Sequence, residues 1–213
     1  MRLVLFDLDD TLVDRAEGFR RWAWEFCAEH RLTADDAAWL TAADEDGHAP
    51  REAFFQAVRD RFTLKDTVAE LLEFYRRRHP VLIPAAPGVL TGLPRLRAAG
   101  WRIGVVTNGN AEQQLAILLH TDVAGLVDGW AISGHEGVGK PDRRLFEIAA
   151  ERCQAPLADG WMVGDGARAD IAGGRAAGLR TVWVDRGRVW SGDEKAPDHV
   201  VADAAGAIEL LLE

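Results

Sequence analysis

Short apolar runs alternate with stretches of helical spacing along most of the chain. Residues 2–6 (RLVLF) are apolar and end at Asp7, residues 101–106 (WRIGVV) end at Thr107-Asn108-Gly109, residues 160–164 (GWMVG) end at Asp165, and residues 180–184 (RTVWV) end at Asp185. Each run is short, rich in β-branched or aromatic residues, and bounded by a polar residue or glycine, which is the pattern of a buried strand. Helical spacing fills residues 88–99, 110–120, 141–153, 168–177 and 203–212. The alternation predicts an α/β fold: a doubly wound, Rossmann-like parallel sheet with helices on both faces. Ligands of such sheets bind beyond the carboxyl ends of the strands, where Asp7, Thr107 and Asp165 fall.

Residues 15–80 depart from this alternation. Phe19, Trp22, Ala23 and Phe26 recur at helical intervals, as do Phe54, Phe55, Val58 and Phe62, and then Val68, Leu71, Leu72 and Tyr75. No strand pattern interrupts them, and Asp46-Gly47 and Pro50 punctuate the middle. Pro80, Pro84 and Pro87 mark the return to the sheet. The expected organisation is an α/β core from residues 1–14 and 83–213, interrupted by a helical insertion over residues 15–82. The aromatic stripe of the insertion is expected to form its own core.

Composition narrows the classes. Of 213 residues, 48% are apolar, enough to bury a core, which excludes intrinsic disorder. The net charge of −9 disfavours a nucleic-acid polymer or an anionic membrane surface as partner. Acidic residues arrive by Asp7, so the first residues do not read as a signal peptide, and no apolar run reaches the length of a membrane span. Cys27 and Cys153 are isolated, which suits two buried thiols in a reduced, cytoplasmic setting. Only Lys65, Lys140 and Lys195 are lysines among 25 basic residues, so a lysine in a glycine turn stands out.

Four segments carry candidate chemistry. In Asp7-Leu8-Asp9-Asp10-Thr11, three carboxylates crowd one strand end. Their mutual repulsion is a cost that a bound Mg²⁺ would offset, since carboxylate oxygens suit that hard cation. Asp7 and Asp9 lie two apart, a spacing that lets one carboxylate act as nucleophile and the other transfer protons. Thr107-Asn108-Gly109 supplies a hydroxyl and backbone N–H groups between a strand and a helix, an anion-binding arrangement that is also a common turn. Lys140 follows Gly137-Val138-Gly139 and precedes Pro141, which is suited to the first helical position. Gly134 to Lys140 spells the start of a P-loop, but proline occupies position 141 where Ser or Thr is needed, and that reading fails. Gly164-Asp165 closes another strand, with Asp170 one helical turn beyond. Neither Ser133 nor Ser191 lies in a nucleophile elbow, and the histidines at 30, 48, 79, 120, 135 and 199 show no metal-ligand spacing.

In this order, the four segments resemble the four motifs of the haloacid dehalogenase-like (HAD) hydrolase superfamily, and the resemblance covers the whole chain. The insertion after the first strand resembles the family's helical type-1 cap. The resemblance implies a phosphatase with Asp7 as the nucleophile that forms an aspartyl-phosphate and Asp9 as the acid, then base. Thr107, the Asn108 backbone and Lys140 would bind phosphate oxygens of a small phosphorylated metabolite. Asp7, the Asp9 carbonyl and Asp165 would ligate Mg²⁺, with Asp10 and Asp170 in support. The 2-haloacid dehalogenases resemble this fold but lack an acid two residues after the nucleophile, and phosphonatases use a cap lysine, for which Lys65 in Phe62–Asp66 is poorly suited. Gly166 and Ala169 stand where the family often has Ser and Asn. Receiver domains of signalling proteins share the Asp, Thr and Lys set, but their acceptor follows the third strand and they carry no cap. A capped fold that binds ligand without turnover is opposed by the intact Asp7 and Asp9. Asp14, Arg15, Phe19, Arg20, His48 and Arg51 are candidates for setting specificity.

Overall fold

The computed structural model describes residues 2–190 and 195–213; Ser191 lies outside them. The chain divides into two compact units, residues 1–14 with 85–213 and residues 15–84.

The first unit is built on a six-stranded parallel sheet in the order β3-β2-β1-β4-β5-β6. Its strands are β1 (Arg2–Phe6), β2 (Trp101–Thr107), β3 (Gly129–Ile132), β4 (Trp161–Gly164), β5 (Arg180–Val184) and β6 (His199–Val201). The central strand β1 is buried from Leu3 to Phe6, because it pairs on both edges and is covered on both faces. Strand order reverses around it: the chain moves outward through β2 and β3, then returns through β4. A crevice therefore opens beyond the carboxyl ends of β1, β2 and β4. Register makes those ends level, since Phe6 pairs with Val105 on one side and Val163 on the other.

Two strands go beyond the sequence reading. β3 and β6, four and three residues long, form the two edges of the sheet and pair on one side only, so neither takes its place from a run buried between two neighbours. The helix after Lys140 begins at Arg143, not at Pro141, because the Asp142 carboxylate caps it by accepting from the Arg144 N–H at 2.9 Å. The stretch after Asp165 opens as one π-helical turn (Ala167–Ala172) before a short α-helical one (Gly173–Ala176). Gly174 allows this segment to approach the sheet, where an added Cβ would lie 2.8 Å from that of Met162.

The second unit is built on α1 (Arg15–His30), α2 (Ala34–Ala43), α3 (Arg51–Phe62) and α4 (Val68–Arg78), with short 3-10 turns at Glu45–Gly47 and His79–Leu82. Thr33 and Thr67 start α2 and α4 with reciprocal capping boxes to Asp36 and Glu70. The aromatic stripe is this unit's own core: Trp22 packs edge-on to Tyr75 at 5.0 Å and tilted on Phe26 at 5.1 Å. Arg15 and Phe19, offered above as specificity candidates, are buried within it, whereas Arg20 is exposed. Arg15 and Arg51 both bind the buried Asp44 carboxylate, at 2.8 and 2.7 Å.

Candidate active site

The carboxyl ends of β1 and β4 bring three acids together. One carboxylate oxygen from each of Asp7, Asp165 and Asp170 lies within 4.8 Å of the others. Asp7 extends β1 by one residue and is held there by its N–H bond to the Val163 carbonyl at 2.8 Å. Asp170 comes from the π-helical turn after β4, and its Oδ2 accepts the Gly166 N–H at 2.8 Å. Gly164 makes room for it, since a Cβ at that position would lie 2.4 Å from Asp170 Oδ2.

Lys140 is the cation among these acids. Its Nζ lies 2.5 Å from Asp7 Oδ1 and 2.7 Å from Asp170 Oδ1, and all three groups are buried. Burial alone would lower the lysine, but Asp170 and then Asp7 outweigh it, so Lys140 stays charged. Burial pushes the Asp7 carboxyl well above the ordinary carboxylate range, Lys140 opposes this, and Asp170 and Asp165 add to it. Burial followed by Asp170 likewise raises Asp165.

The Lys140 loop is fastened by Asn108. The Asn108 side chain donates to the Lys140 carbonyl at 3.0 Å and accepts the Lys140 N–H at 2.8 Å. This side chain is therefore a clasp between the ends of β2 and the lysine turn, which leaves ligand binding at this position to its backbone. Thr107, the last residue of β2, is buried beside it.

Asp9 and Asp10 stand apart from the three-acid group. Asp9 Oδ2 accepts a 2.8 Å hydrogen bond from Gln114 Nε2. Asp10 adopts a left-handed conformation (φ 56°) and pairs with Arg186 at 3.5 Å. Arg186 also reaches Asp165 Oδ2 at 3.2 Å, and Arg188 reaches the same oxygen at 3.1 Å. Of the five aspartates expected at one sheet edge, three form the group and two face other partners.

Gln114, Arg186 and Arg188 escaped the sequence reading. Arg186 and Arg188 follow Asp185 at the end of β5, so their place at the same sheet edge was available as a signal. Gln114 carried a weaker one: it lies one turn into the helix that begins after Thr107-Asn108-Gly109.

The donor set fits a hard divalent cation, because carboxylate oxygens of the buried Asp7 and Asp170 and the half-buried Asp165 lie within 4.8 Å of one another, and Asp7 and Asp170 share the single Lys140. A parallel sheet with a buried Asp–Lys–Asp group at its switch point, and a second carboxylate two residues past the first, defines an α/β enzyme built for reactions at an electrophilic centre. The comparisons give the family. A model described as haloacid dehalogenase-like hydrolase matches residues 1–178, and the chain belongs to that family. The chain is 31% identical to a glyceraldehyde 3-phosphate phosphatase of Pyrococcus abyssi, over 88% of this chain and 83% of the relative. It is also 31% identical to a phosphoserine phosphatase of Thermus thermophilus, over 95% and 96%. In structure it is similar to the putative HAD-hydrolase YfnB from Bacillus subtilis bound to magnesium, with a TM-score of 0.81 at 24% identity, covering 99% of this chain and 98% of that one. A 2-haloacid dehalogenase from Pseudomonas syringae matches at a TM-score of 0.66 and 27% identity, covering 100% and 98%. Among the described residues, no helix is long and apolar enough to cross a membrane.

Proposed function

We propose that this hydrolase cleaves the phosphate ester of a small phosphorylated metabolite through an aspartyl-phosphate on Asp7. The observation that carries the reading is Asp9: a second carboxylate at the end of β1, held outside the Lys140 group by Gln114. A dehalogenase needs no such acid, whereas an alkoxide leaving group does. The phosphatases among its relatives agree with this.

In the first step an Asp7 carboxylate oxygen attacks phosphorus, the bond to the ester oxygen breaks, and Asp9 gives that oxygen a proton. In the second, Asp9 takes a proton from water as the water oxygen bonds to phosphorus and the bond to Asp7 breaks, releasing phosphate. Lys140 and the backbone after Thr107 hold the phosphate oxygens and stabilise charge where it gathers. Asp7, the Asp9 carbonyl and Asp165 would hold Mg²⁺, which when bound neutralises the dianion and its acidic surroundings. Asp10 and Asp170 support this set through Arg186 and Lys140. Residues 15–82 act as the cap that selects the substrate, and the protein works in a reduced, cytoplasmic compartment with no nucleic-acid polymer or membrane as partner.

The test is release of inorganic phosphate from p-nitrophenyl phosphate with Mg²⁺. Wild type should turn over, EDTA should stop it, and Asp7→Asn should reduce it by at least about 10³-fold. Halide release from a 2-haloacid, with no phosphate release across a metal series, would replace this reading with a dehalogenase.

A further inference from the structure

Gln114 is a buried side chain for which packing gives no reason. It lies on the first turns of the helix Ala111–His120, whose start is fixed by Asn110: that side chain accepts from the Gln113 N–H at 3.1 Å. The Gln114 Nε2 group donates twice, to Asp9 Oδ2 at 2.8 Å and to the Asn108 carbonyl at 3.3 Å. Both neighbours are acceptors, so the orientation of the amide is determined by its surroundings. Its Oε1 is buried with no hydrogen-bond partner among the described residues. A half-satisfied buried amide is a cost that a leucine of similar volume would avoid. Space is also reserved for it: a Cβ at Gly109, where φ is 145°, would lie 2.7 Å from Gln114 Nε2.

We propose that Gln114 is a positioning residue for Asp9. One amide ties the loop after β1 to the loop after β2, and so holds the acid at a fixed place relative to the phosphate-binding backbone at Asn108. Proton transfer falls steeply when donor and acceptor are misplaced by even an ångström, so a loosely held Asp9 would protonate the leaving oxygen less often. The reactions affected are those that need the acid. Loss of an alkoxide requires a proton as its bond to phosphorus breaks, and loss of p-nitrophenolate does not. This inference rests on the phosphatase reading and on the role of Asp9 within it.

The experiment compares kcat/KM, which reports formation of the aspartyl-phosphate, for p-nitrophenyl phosphate and for a simple alkyl phosphate. Three variants are needed: Gln114→Met, which keeps length but donates nothing; Gln114→Glu, which turns a repelling group toward Asp9; and Asp9→Asn as reference. The Asp9→Asn variant should lose at least about 10²-fold on the alkyl ester and far less on the aryl ester. Gln114→Met and Gln114→Glu should each lose about 10-fold or more on the alkyl ester and less than about 3-fold on the aryl ester, with thermal unfolding close to wild type. Equal losses on both esters in both Gln114 variants, or no loss, overturn the positioning role while leaving the phosphatase reading intact. If Asp9→Asn itself leaves the alkyl-to-aryl ratio unchanged, Asp9 is not the acid, and the inference falls with the reading beneath it.

Discussion

Replacing Lys140 by methionine tests whether one cation holds this site together. The lysine side chain is 3% exposed and lies between Asp7, 10% exposed, and Asp170, 2% exposed. At an effective dielectric of about 20, each contact of this length is a gross attraction of about 6 kcal/mol, much of it offset by desolvation. Removing the lysine leaves two carboxylates buried without that compensation, which typically costs about 3–5 kcal/mol. Urea unfolding of Lys140→Met in EDTA should show a loss in that range, and thermal unfolding should fall by roughly 10 °C for a chain of this size. Removing the charge of one partner as well should recover part of it: Lys140→Met/Asp170→Asn should be more stable than Lys140→Met alone, which a double-mutant cycle reads as coupling. The single variant should also lose phosphate release. A stability loss below about 1 kcal/mol, or a double variant no better than the single one, would refute the claim that Lys140 compensates these carboxylates.

Other consequences follow from individual contacts. Gly164→Ala would drive a Cβ to 2.4 Å from the anchored Asp170 carboxylate, so it should cost about 1–3 kcal/mol in urea unfolding and at least about 10-fold in kcat/KM. His79 is buried, stacked on Tyr75 at 4.6 Å, and held well below the ordinary histidine range by burial, then by Arg15 and Arg51. The folded state therefore binds fewer protons than the unfolded one below about pH 6.5, so stability falls as pH drops, by about 1.4 kcal/mol at pH 5.5. Urea unfolding of wild type and His79→Gln at pH 7.5 and 5.5 reads this, and an equal slope in both would contradict it. Asp44→Asn leaves Arg15 and Arg51 with a neutral partner and should destabilise the helical unit by about 3 kcal/mol or more, followed by tryptophan fluorescence.

How much of this was legible in the sequence depends on how local each feature is. Asp7, Thr107 and Asp165 were readable because a buried parallel strand is a contiguous apolar run, and its end names the next residue as facing the crevice. Strands β1, β2, β4 and β5 and most helices followed from the same periodicity. β3 and β6 did not, since a strand of three or four residues at a sheet edge takes its pairing from neighbours far away in sequence. Lys140 stood out by composition, but its partners Asp7 and Asp170 lie 133 and 30 residues away, and only register brings them together. Gln114 and Asp9 are 105 residues apart, and an amide on a helix has no composition signal to separate it from a solvated one. In the helical unit, Arg15 is a specificity candidate by sequence, yet it is buried, which is uncommon for arginine without a paired charge. Nothing in its own segment announces Asp44, 29 residues on, whose carboxylate makes that burial possible.

The charge of the site sharpens what the net charge of −9 means. Asp7, Asp9, Asp10, Asp165 and Asp170 carry five formal negatives, and Lys140, Arg186 and Arg188 return three positives, leaving −5 + 3 = −2. A phosphate dianion entering that surplus would be repelled, and a divalent cation cancels it to zero. Metal and phosphate should therefore bind as a coupled pair, each raising the affinity of the other by the same factor. Titration calorimetry with inorganic phosphate should show at least about 10-fold tighter binding with Mg²⁺ than in EDTA, and Mg²⁺ should bind tighter by a matching factor when phosphate is present. Phosphate binding that is equally strong in EDTA would mean that Lys140, Arg186 and Arg188 suffice to hold the anion, and the electrostatic reading of the acid group would have to be abandoned.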